Sequence, residues 1–220
     1  VGRLSYKRAL SIFIQVADGL ASAHAAGVLH RDIKPSNIML SERTDGGEDV
    51  KIIDFGIAKV LDSSGDSIQR LTVTGEVFGS PLYMSPEQCQ GKVLDRRSDI
   101  YSLGCVFYEA ITGKIVHLGR TAIETMTKHV TAIPDAVSKV VPEAHIPERL
   151  EEIVFRMLEK SANSRYQDLE AVKKDLQSLN EAPDDTRSTK ERASMRGQLE
   201  EIRRELGRYR SWIRAAASVF

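Results

Sequence analysis

The sequence lacks several features that would assign it to a specialised class of protein. It contains no apolar run of about 18 residues, so we expect no membrane span inside it. Its 31 Lys and Arg residues balance its 31 Asp and Glu residues, and this neutrality gives no reason to expect nucleic acid as a partner. Its two cysteines, Cys89 and Cys105, form no CxxC pair and neighbour no histidine. We therefore expect two reduced thiols in a cytoplasmic protein.

The start of the sequence also lacks two common features. Val1 stands in place of an initiator methionine, and the first residues alternate between polar and apolar, unlike a signal peptide. Because a helical pattern begins almost at once, we expect a segment of a longer product. Apolar residues make up 41% and charged residues 28%, which is ordinary for a globular protein. The 220 residues suffice for one large domain or two small ones.

Two short polar segments carry the most specific pattern in the chain. Residues 30–37 read HRDIKPSN, and an Asp-Phe-Gly triplet begins seventeen residues after Asn37. Turn chemistry alone could explain Asp and Asn in such places, but an eight-residue motif and a second motif in order are far more specific. Together the segments resemble the catalytic loop and the metal-binding loop of the eukaryotic-like (Hanks-type) serine/threonine protein kinases of bacterial type.

This resemblance implies a role for each polar residue in phosphoryl transfer from ATP. Asp32 would orient a hydroxyl and accept its proton, and Lys34 would offset charge on the γ-phosphate. Lys34 should project to the same side as Asp32 if the loop is extended, since side chains there repeat with period two. Asn37 and Asp54 offer the hard oxygen ligands that suit Mg²⁺, with Mn²⁺ as a substitute. ATP and Mg²⁺ are thus the expected cofactors, and Gly56 would allow a sharp turn after Asp54.

The first fifty residues predict one helix followed by a hairpin. Apolar residues recur at helical spacing from the expected N-cap Ser5 to about residue 26. Residues 37–40 and 50–53 read as two strands around a polar, Gly-rich turn, which predicts a β-hairpin. Asn37 enters this hairpin and Asp54 leaves it, so we expect both metal ligands at the same end.

Residues 57–84 have no sustained period and are rich in Ser, Thr and Gly, which is typical of a functional loop. The resemblance implies an activation loop, which closes on Ser-Pro-Glu where the family usually has Ala-Pro-Glu. Ser80 would be a substrate-docking residue that favours Ser/Thr hydroxyls. Thr72 and Thr74 lie where bacterial members carry autophosphorylated threonines, although ordinary loop residues are the alternative. Arg31 would then bind that phosphate and order the loop.

The segment 98–112 is apolar nearly all round, which predicts a buried helix with Ser98 as its N-cap and Gly113 at its end. The resemblance makes it the central helix of the large lobe. It also implies that Asp99 accepts hydrogen bonds from the backbone of the catalytic loop. The alternative for Asp99 is a simple interaction with the helix dipole.

Further structural roles follow from the resemblance. Glu87 of the Ser-Pro-Glu triplet should form a buried ion pair with Arg165. His30 and Phe55 should pack together as part of the family's hydrophobic column of side chains. More helices are expected near residues 121–130, 147–159 and 166–180. We expect His24 to be a partly buried helix residue rather than a ligand. The other histidines show no ligand spacing: His117, His129 and His145.

The C-terminal part of the chain differs from the rest. Residues 181–190 are polar, contain a proline and read as a linker. Residues 191–220 carry an a/d heptad seam, and nine Lys or Arg against four Glu lie between positions 187 and 214. Three interpretations stay open: a helix packed on its own domain, a coiled coil that forms a homodimer, and a basic juxtamembrane helix before a membrane tether.

Taken together, the sequence predicts an α+β, mainly α fold over residues 1–180: the large C-terminal lobe of a protein kinase with a small β-hairpin. No glycine-rich phosphate loop or strand lysine precedes it. We therefore expect that the N-terminal lobe is absent and that this chain alone is weakly active or inactive. The expected substrates are Ser/Thr-bearing proteins, met in the cytoplasm or by the cytoplasmic part of a membrane-anchored kinase. The alternative is a non-catalytic scaffold.

Overall fold

The structure is a computed structural model that describes residues 2–55 and 81–181. Predictions for Gly56, Thr72, Thr74, Ser80 and the heptad-patterned segment lie outside these residues. Within them, no helix is both long and apolar enough to cross a membrane. The elements in chain order are α1 (Tyr6–Ala25), β1 (Ile38–Glu42), β2 (Glu48–Ile52), α2 (Pro86–Cys89), α3 (Arg96–Thr112), α4 (Ala122–Thr131), α5 (Val137–Val140), α6 (Glu148–Met157) and α7 (Leu169–Glu181).

Helix α1 forms where the apolar periodicity predicts it. The Ser5 side chain accepts a hydrogen bond from a first-turn amide at 3.4 Å, which satisfies one of the unpaired donors at the helix start. The chain turns away at Gly27, whose φ of 76° costs a glycine little. The apolar face of α1 packs on α3, where the rings of Phe13 and Phe107 stack with centroids 4.0 Å apart.

The predicted hairpin is present, with shifted ends. Strands β1 and β2 pair antiparallel, with Ile38 opposite Ile52, and both strands extend further toward the turn than predicted. Asn37 ends a short 3-10 helix just before β1 instead of starting the strand. Gln15 of α1 binds the edge of β2: its amide donates to the Glu48 carbonyl at 3.0 Å and accepts from the Val50 amide at 3.3 Å. This contact fixes the hairpin on α1 and satisfies edge groups of the strand.

Helix α3 is the buried centre of the described residues, because 13 of its 17 residues are buried. It begins earlier than predicted. Its N-cap is Asp95, which accepts from the Arg97 amide at 2.8 Å, so the expectation of Ser98 as N-cap was wrong. Gly113, with φ of 68°, ends the helix as expected. At Gly104 a Cβ atom would lie 2.9 Å from Met157 Cβ, so glycine permits the close approach of α6.

The remaining helices surround this centre. Helices α4, α6 and α7 correspond to the three predicted stretches, and the short α2 and α5 were not predicted. Helix α7 starts at Leu169, later than predicted, because the side chain of the preceding Asp168 accepts from the Ala171 amide at 2.8 Å and so caps the helix there. It ends at Glu181, the residue that the sequence had assigned to the start of the linker. The described residues are thus mainly helical with one two-stranded sheet, consistent with the large lobe of a kinase.

Candidate active site

The loop between α1 and β1 brings Asp32 and Lys34 together. Lys34 has extended backbone angles (φ −156°, ψ 163°), so its side chain projects to the same side as Asp32. Its Nζ lies 2.8 Å from Asp32 Oδ2. The Asn37 side chain donates from Nδ2 to the Asp32 carbonyl oxygen at 2.9 Å. Contacts made by the loop's own polar side chains therefore stabilise its conformation, and they place one carboxylate next to one ammonium group.

Asn37 and Asp54 lie at the same end of the hairpin, as the sequence predicted. The Ile53 amide donates to the Asn37 carbonyl oxygen at 3.0 Å, which joins the entry of the hairpin to its exit. Because the Asn37 amide nitrogen is already bound to Asp32, its Oδ1 remains as the acceptor for other groups. Asp54 is exposed and has a left-handed φ of 57°. An amide oxygen and a carboxylate are a donor set that fits Mg²⁺.

His30 links the Asp32 loop to the segment before Asp54. It is fully buried, and its ring centroid lies 4.8 Å from that of Phe55, so the expected packing of these two side chains is present. Its Nδ1 accepts from the Asp32 amide at 3.3 Å, and its Nε2 donates to the Ile53 carbonyl at 3.0 Å. The imidazole therefore fixes the spacing between the two polar loops.

Asp99, near the start of α3, holds the backbone of the same loop. Its carboxylate accepts from the amides of His30 and Arg31, both at 2.8 Å. Arg31 needs this support because its φ of 65° is unfavourable for a residue with a Cβ. His24 donates from Nε2 to Asp99 Oδ2 at 2.8 Å, a contact that the sequence pattern did not reveal. Asp99 is only 1% exposed, so these bonds form away from competing water.

The predicted ion pair between Glu87 and Arg165 is present and buried. Two guanidinium nitrogens of Arg165 bind the two Glu87 carboxylate oxygens at 2.7 and 2.8 Å, and the Arg165 side chain has no exposed surface. The other Arg165 donors bind the carbonyls of Glu159, Arg97 and Lys160. Burial acts to raise the pKa of Glu87, but hydrogen bonds from Arg165 and Ser98 outweigh it and hold that pKa below its usual value.

Gln88 is a second residue whose role the sequence did not reveal. Its side-chain nitrogen donates to the Arg31 carbonyl at 2.8 Å, while its oxygen accepts from the Ser85 amide at 2.9 Å. The Ser85 hydroxyl in turn accepts from the Gln88 amide, which completes a capping box at the start of α2. The S-x-x-Q spacing signals this cap, but the contact with Arg31 joins residues 57 positions apart. Helix α2 is thereby connected to the loop that carries Asp32 and Lys34.

The structure thus brings together six predicted residues around one loop: His30, Asp32, Lys34, Asn37, Phe55 and Asp99. It also joins Glu87 of α2 to Arg165. Arg31 lies between these groups. Among the described residues, its Nε is buried and has no hydrogen-bond partner.

Comparison with known proteins identifies the family of the chain. Residues 2–176 match the family described as "Protein kinase domain". The chain belongs to that family. Serine/threonine-protein kinase pkn3 of Myxococcus xanthus is 42% identical over 176 residues, which cover 80% of this chain and 32% of that protein. Serine/threonine-protein kinase PknB of Mycolicibacterium smegmatis is 37% identical over 185 residues, 83% of this chain and 28% of that protein.

These relatives identify the chain as a kinase-domain segment of the bacterial Hanks type. The match spans a third or less of the length of these two relatives.

Proposed function

We propose that the gene product containing this chain transfers the γ-phosphoryl group of ATP to Ser or Thr hydroxyls of protein substrates. The observation that carries this proposal is the 2.8 Å contact between Lys34 Nζ and Asp32 Oδ2, beside a hairpin end that presents Asn37 and Asp54. A carboxylate, an ammonium and two hard oxygen ligands are the groups that phosphoryl transfer requires.

In this proposal the residues act mainly by positioning and by charge. The Asp32 carboxylate orients the substrate hydroxyl and accepts its proton as the new O–P bond forms and the bond to the ADP oxygen breaks. Lys34 offsets negative charge on the transferred group. Asn37 Oδ1 and the Asp54 carboxylate would hold Mg²⁺, which when bound neutralises charge on the phosphate oxygens. Asp99 keeps the loop backbone in place through the amides of His30 and Arg31.

We also infer regulation by phosphorylation at Thr72 or Thr74, with Arg31 as the residue that binds the phosphate. The support is the buried Arg31 Nε without a partner among the described residues, because a buried guanidinium donor is rarely left unsatisfied. The Arg31 backbone is held from both sides, by Asp99 at its amide and by Gln88 at its carbonyl. The backbone from which the Arg31 side chain extends is therefore fixed, which favours the binding of a phosphate by its guanidinium group.

The reaction class is tested by incubating the gene product, translated from its natural start, with γ-labelled ATP and Mg²⁺, and by mapping the labelled residues by mass spectrometry. We expect label on Ser and Thr and none on Tyr. Asp54→Asn should raise the Mg²⁺ concentration needed for half-maximal rate and lower the maximal rate. Asp49→Asn is the matched control, since Asp49 is an exposed aspartate on β2 of the same hairpin.

Label that is absent from the folded wild-type protein would favour the alternative, a kinase-like scaffold without catalysis. Label on tyrosine would contradict the proposed substrate class. Dimerisation through residues 191–220 and a membrane tether remain proposals for the whole gene product, as do its cytoplasmic substrates.

A further inference from the structure

A second buried polar cluster lies outside the proposed catalytic residues, beneath the short 3-10 helix Pro81–Tyr83. It consists of Tyr101, His117, His129 and Lys160, which come from α3, the α3–α4 connection, α4 and the segment after α6. Tyr101 and His129 have no exposed surface, and His117 is 4% exposed. Polar groups so deeply buried stabilise a fold only where their hydrogen bonds are made, so the direction of each bond can be worked out.

The direction of hydrogen-bond donation can be assigned first at His129, which lies next to Leu82. His129 Nε2 lies 3.1 Å from the Leu82 carbonyl oxygen, and a carbonyl can only accept, so Nε2 carries the hydrogen. In the neutral ring Nδ1 must then accept, and its partner at 3.0 Å is the hydroxyl of Tyr101. The single phenolic hydrogen of Tyr101 is thereby used. The Tyr101 oxygen is left to accept from a further donor.

The contacts of Lys160, at the other end of the cluster, independently give the same direction of hydrogen-bond donation. Lys160 Nζ lies 3.0 Å from the Tyr101 oxygen, and a protonated ammonium can only donate. The three bonds therefore run one way, from Lys160 through Tyr101 and His129 to the Leu82 carbonyl. Lys160 Nζ also lies 3.0 Å from His117 Nε2, which must accept. Burial lowers the pKa of His117 to about 3 and that of His129 to about 4, so both rings are neutral as this direction requires.

Lys160, the first donor in this series of hydrogen bonds, is itself held in place. The Lys160 carbonyl accepts from Arg165 at 3.0 Å, and Arg165 is bound to Glu87. The cluster is therefore anchored on the buried ion pair at α2. The next residue of the Pro81–Tyr83 helix is also held by a polar contact with α3, since the Tyr83 hydroxyl donates to Glu109 Oε2 at 2.6 Å. Polar bonds thus fix two consecutive residues of this segment.

We propose that Lys160, Tyr101 and His129 are positioning residues that hold the Leu82 carbonyl and so set the shape of the segment against which the protein substrate binds. This rests on the proposed function, since Pro81–Tyr83 directly follows in sequence Ser80, the residue that the family resemblance assigns to substrate docking. The three residues are not among those proposed to act on ATP or on the reacting hydroxyl. Their loss should weaken the binding of the protein substrate and leave the binding of ATP unchanged.

The test compares Tyr101→Phe with Tyr108→Phe in the gene product that contains this chain. Both substitutions remove only a hydroxyl from a buried tyrosine of α3, but the Tyr108 hydroxyl donates to the Asp135 carbonyl at 3.0 Å, outside the cluster. Tyr101→Phe removes both the bond to His129 and the bond from Lys160. We expect it to raise the KM for a Ser/Thr peptide about 3- to 10-fold, with the KM for ATP unchanged. Tyr108→Phe should change neither KM.

A second pair of variants separates the hydrogen bond from general packing. In His129→Gln the side-chain amide can still donate to Leu82, whereas His129→Leu cannot. We expect the glutamine variant to keep a peptide KM closer to that of the wild type. Two results would overturn the proposal. One is an equal increase in the KM for the peptide and the KM for ATP, and the other is the same increase in peptide KM in the glutamine and leucine variants.

Hydrogen exchange provides a readout that does not need catalysis. We expect faster exchange at residues 82–85 in Tyr101→Phe and no change there in Tyr108→Phe. Failure of the wild-type protein to transfer phosphate would refute the proposed function, and exchange would still report on the positioning. Unchanged exchange at residues 82–85 in Tyr101→Phe would overturn the positioning even in an active kinase.

Discussion

Asp99 Oδ1 accepts a hydrogen bond of 2.8 Å from the amide of Arg31, a residue with a left-handed φ of 65°. A non-glycine residue in this conformation costs about 1–3 kcal/mol unless its surroundings hold it there. The other carboxylate oxygen binds the neighbouring amide of His30 and the imidazole of His24. The conformation of the loop that carries Asp32 and Lys34 thus depends on a side chain almost 70 residues further along the chain.

Replacement of Asp99 by Asn should lower kcat about tenfold or more. The amide can present only one acceptor oxygen, so one of the loop amides or His24 would face an NH₂ group. The measurement is kcat for peptide phosphorylation by the gene product. Asp95→Asn is the control, because Asn caps helices as well as Asp does, and it should keep kcat within about twofold. Equal loss in both variants would contradict the role assigned to Asp99.

Replacement of Arg165 by Lys should reduce the free energy of unfolding by about 3 kcal/mol or more. Lysine cannot reproduce the paired bonds to Glu87, which would remain a largely buried carboxylate, 14% exposed, with fewer donors. Arg149→Lys changes the same residue type where its ion pairs with Glu152 and Asp175 are exposed, and it should cost under about 1 kcal/mol. Urea unfolding curves of the two variants provide the comparison, and similar midpoints would refute the buried pair as a main stabilising contact.

Thr72→Ala combined with Thr74→Ala should lower the activity of the autophosphorylated enzyme at least about tenfold, since the proposed phosphate partner of Arg31 would be lost. Thr44→Ala, in the exposed turn of the hairpin, should leave activity unchanged. Arg31→Lys should resemble the double alanine variant, because lysine does not bind phosphate in the bidentate way of arginine. Full activity in the double alanine variant would exclude this mode of regulation.

Acid should destabilise the protein partly through His117 and His129. Their pKa values in the folded state, about 3 and about 4, lie below the ordinary 6.5, so the unfolded chain binds protons that the folded chain does not. Stability is therefore lost as pH falls below 6.5, by about 2 kcal/mol per histidine between pH 7 and pH 5.

His117→Gln tests this, because glutamine still accepts a bond from Lys160 but does not titrate. The urea midpoint of this variant should fall less between pH 7 and pH 5 than that of the wild type. His145→Asn replaces an exposed histidine and should show the wild-type slope. Parallel slopes in all three proteins would show that His117 titrates normally.

Local patterns in the sequence predicted the parts of this fold that depend on neighbouring residues. The periodicity of α1, the hairpin and the buried character of α3 all follow from spacing, and the side-by-side placement of Asp32 and Lys34 follows from an extended backbone. The family resemblance added two long-range pairs, Asp99 with the loop amides and Glu87 with Arg165.

The contacts that escaped prediction join distant segments through groups with several possible partners. His24 is partly buried as expected, but its position on α1 does not indicate Asp99 as its partner. Gln88 completes a local cap while also binding Arg31. His117 and His129 have no spacing that signals contact, because α4 and the loop before it bring them together only in the folded chain. The N-cap of α3 was misplaced because Asp95 and Ser98 are both good caps, and only the contact with Glu87 shows that Ser98 is otherwise engaged.

The most direct test of the catalytic assignment is the single-turnover rate of phosphoryl transfer from Mg-ATP to a Ser/Thr peptide by the gene product with Asp32→Asn. Asparagine is close in size to aspartate but cannot accept the hydroxyl proton, so we predict a loss of about 10²-fold or more, with Asp49→Asn at the wild-type rate. A rate for Asp32→Asn equal to that of the wild type would contradict the assignment of Asp32, and with it the catalytic role of the loop.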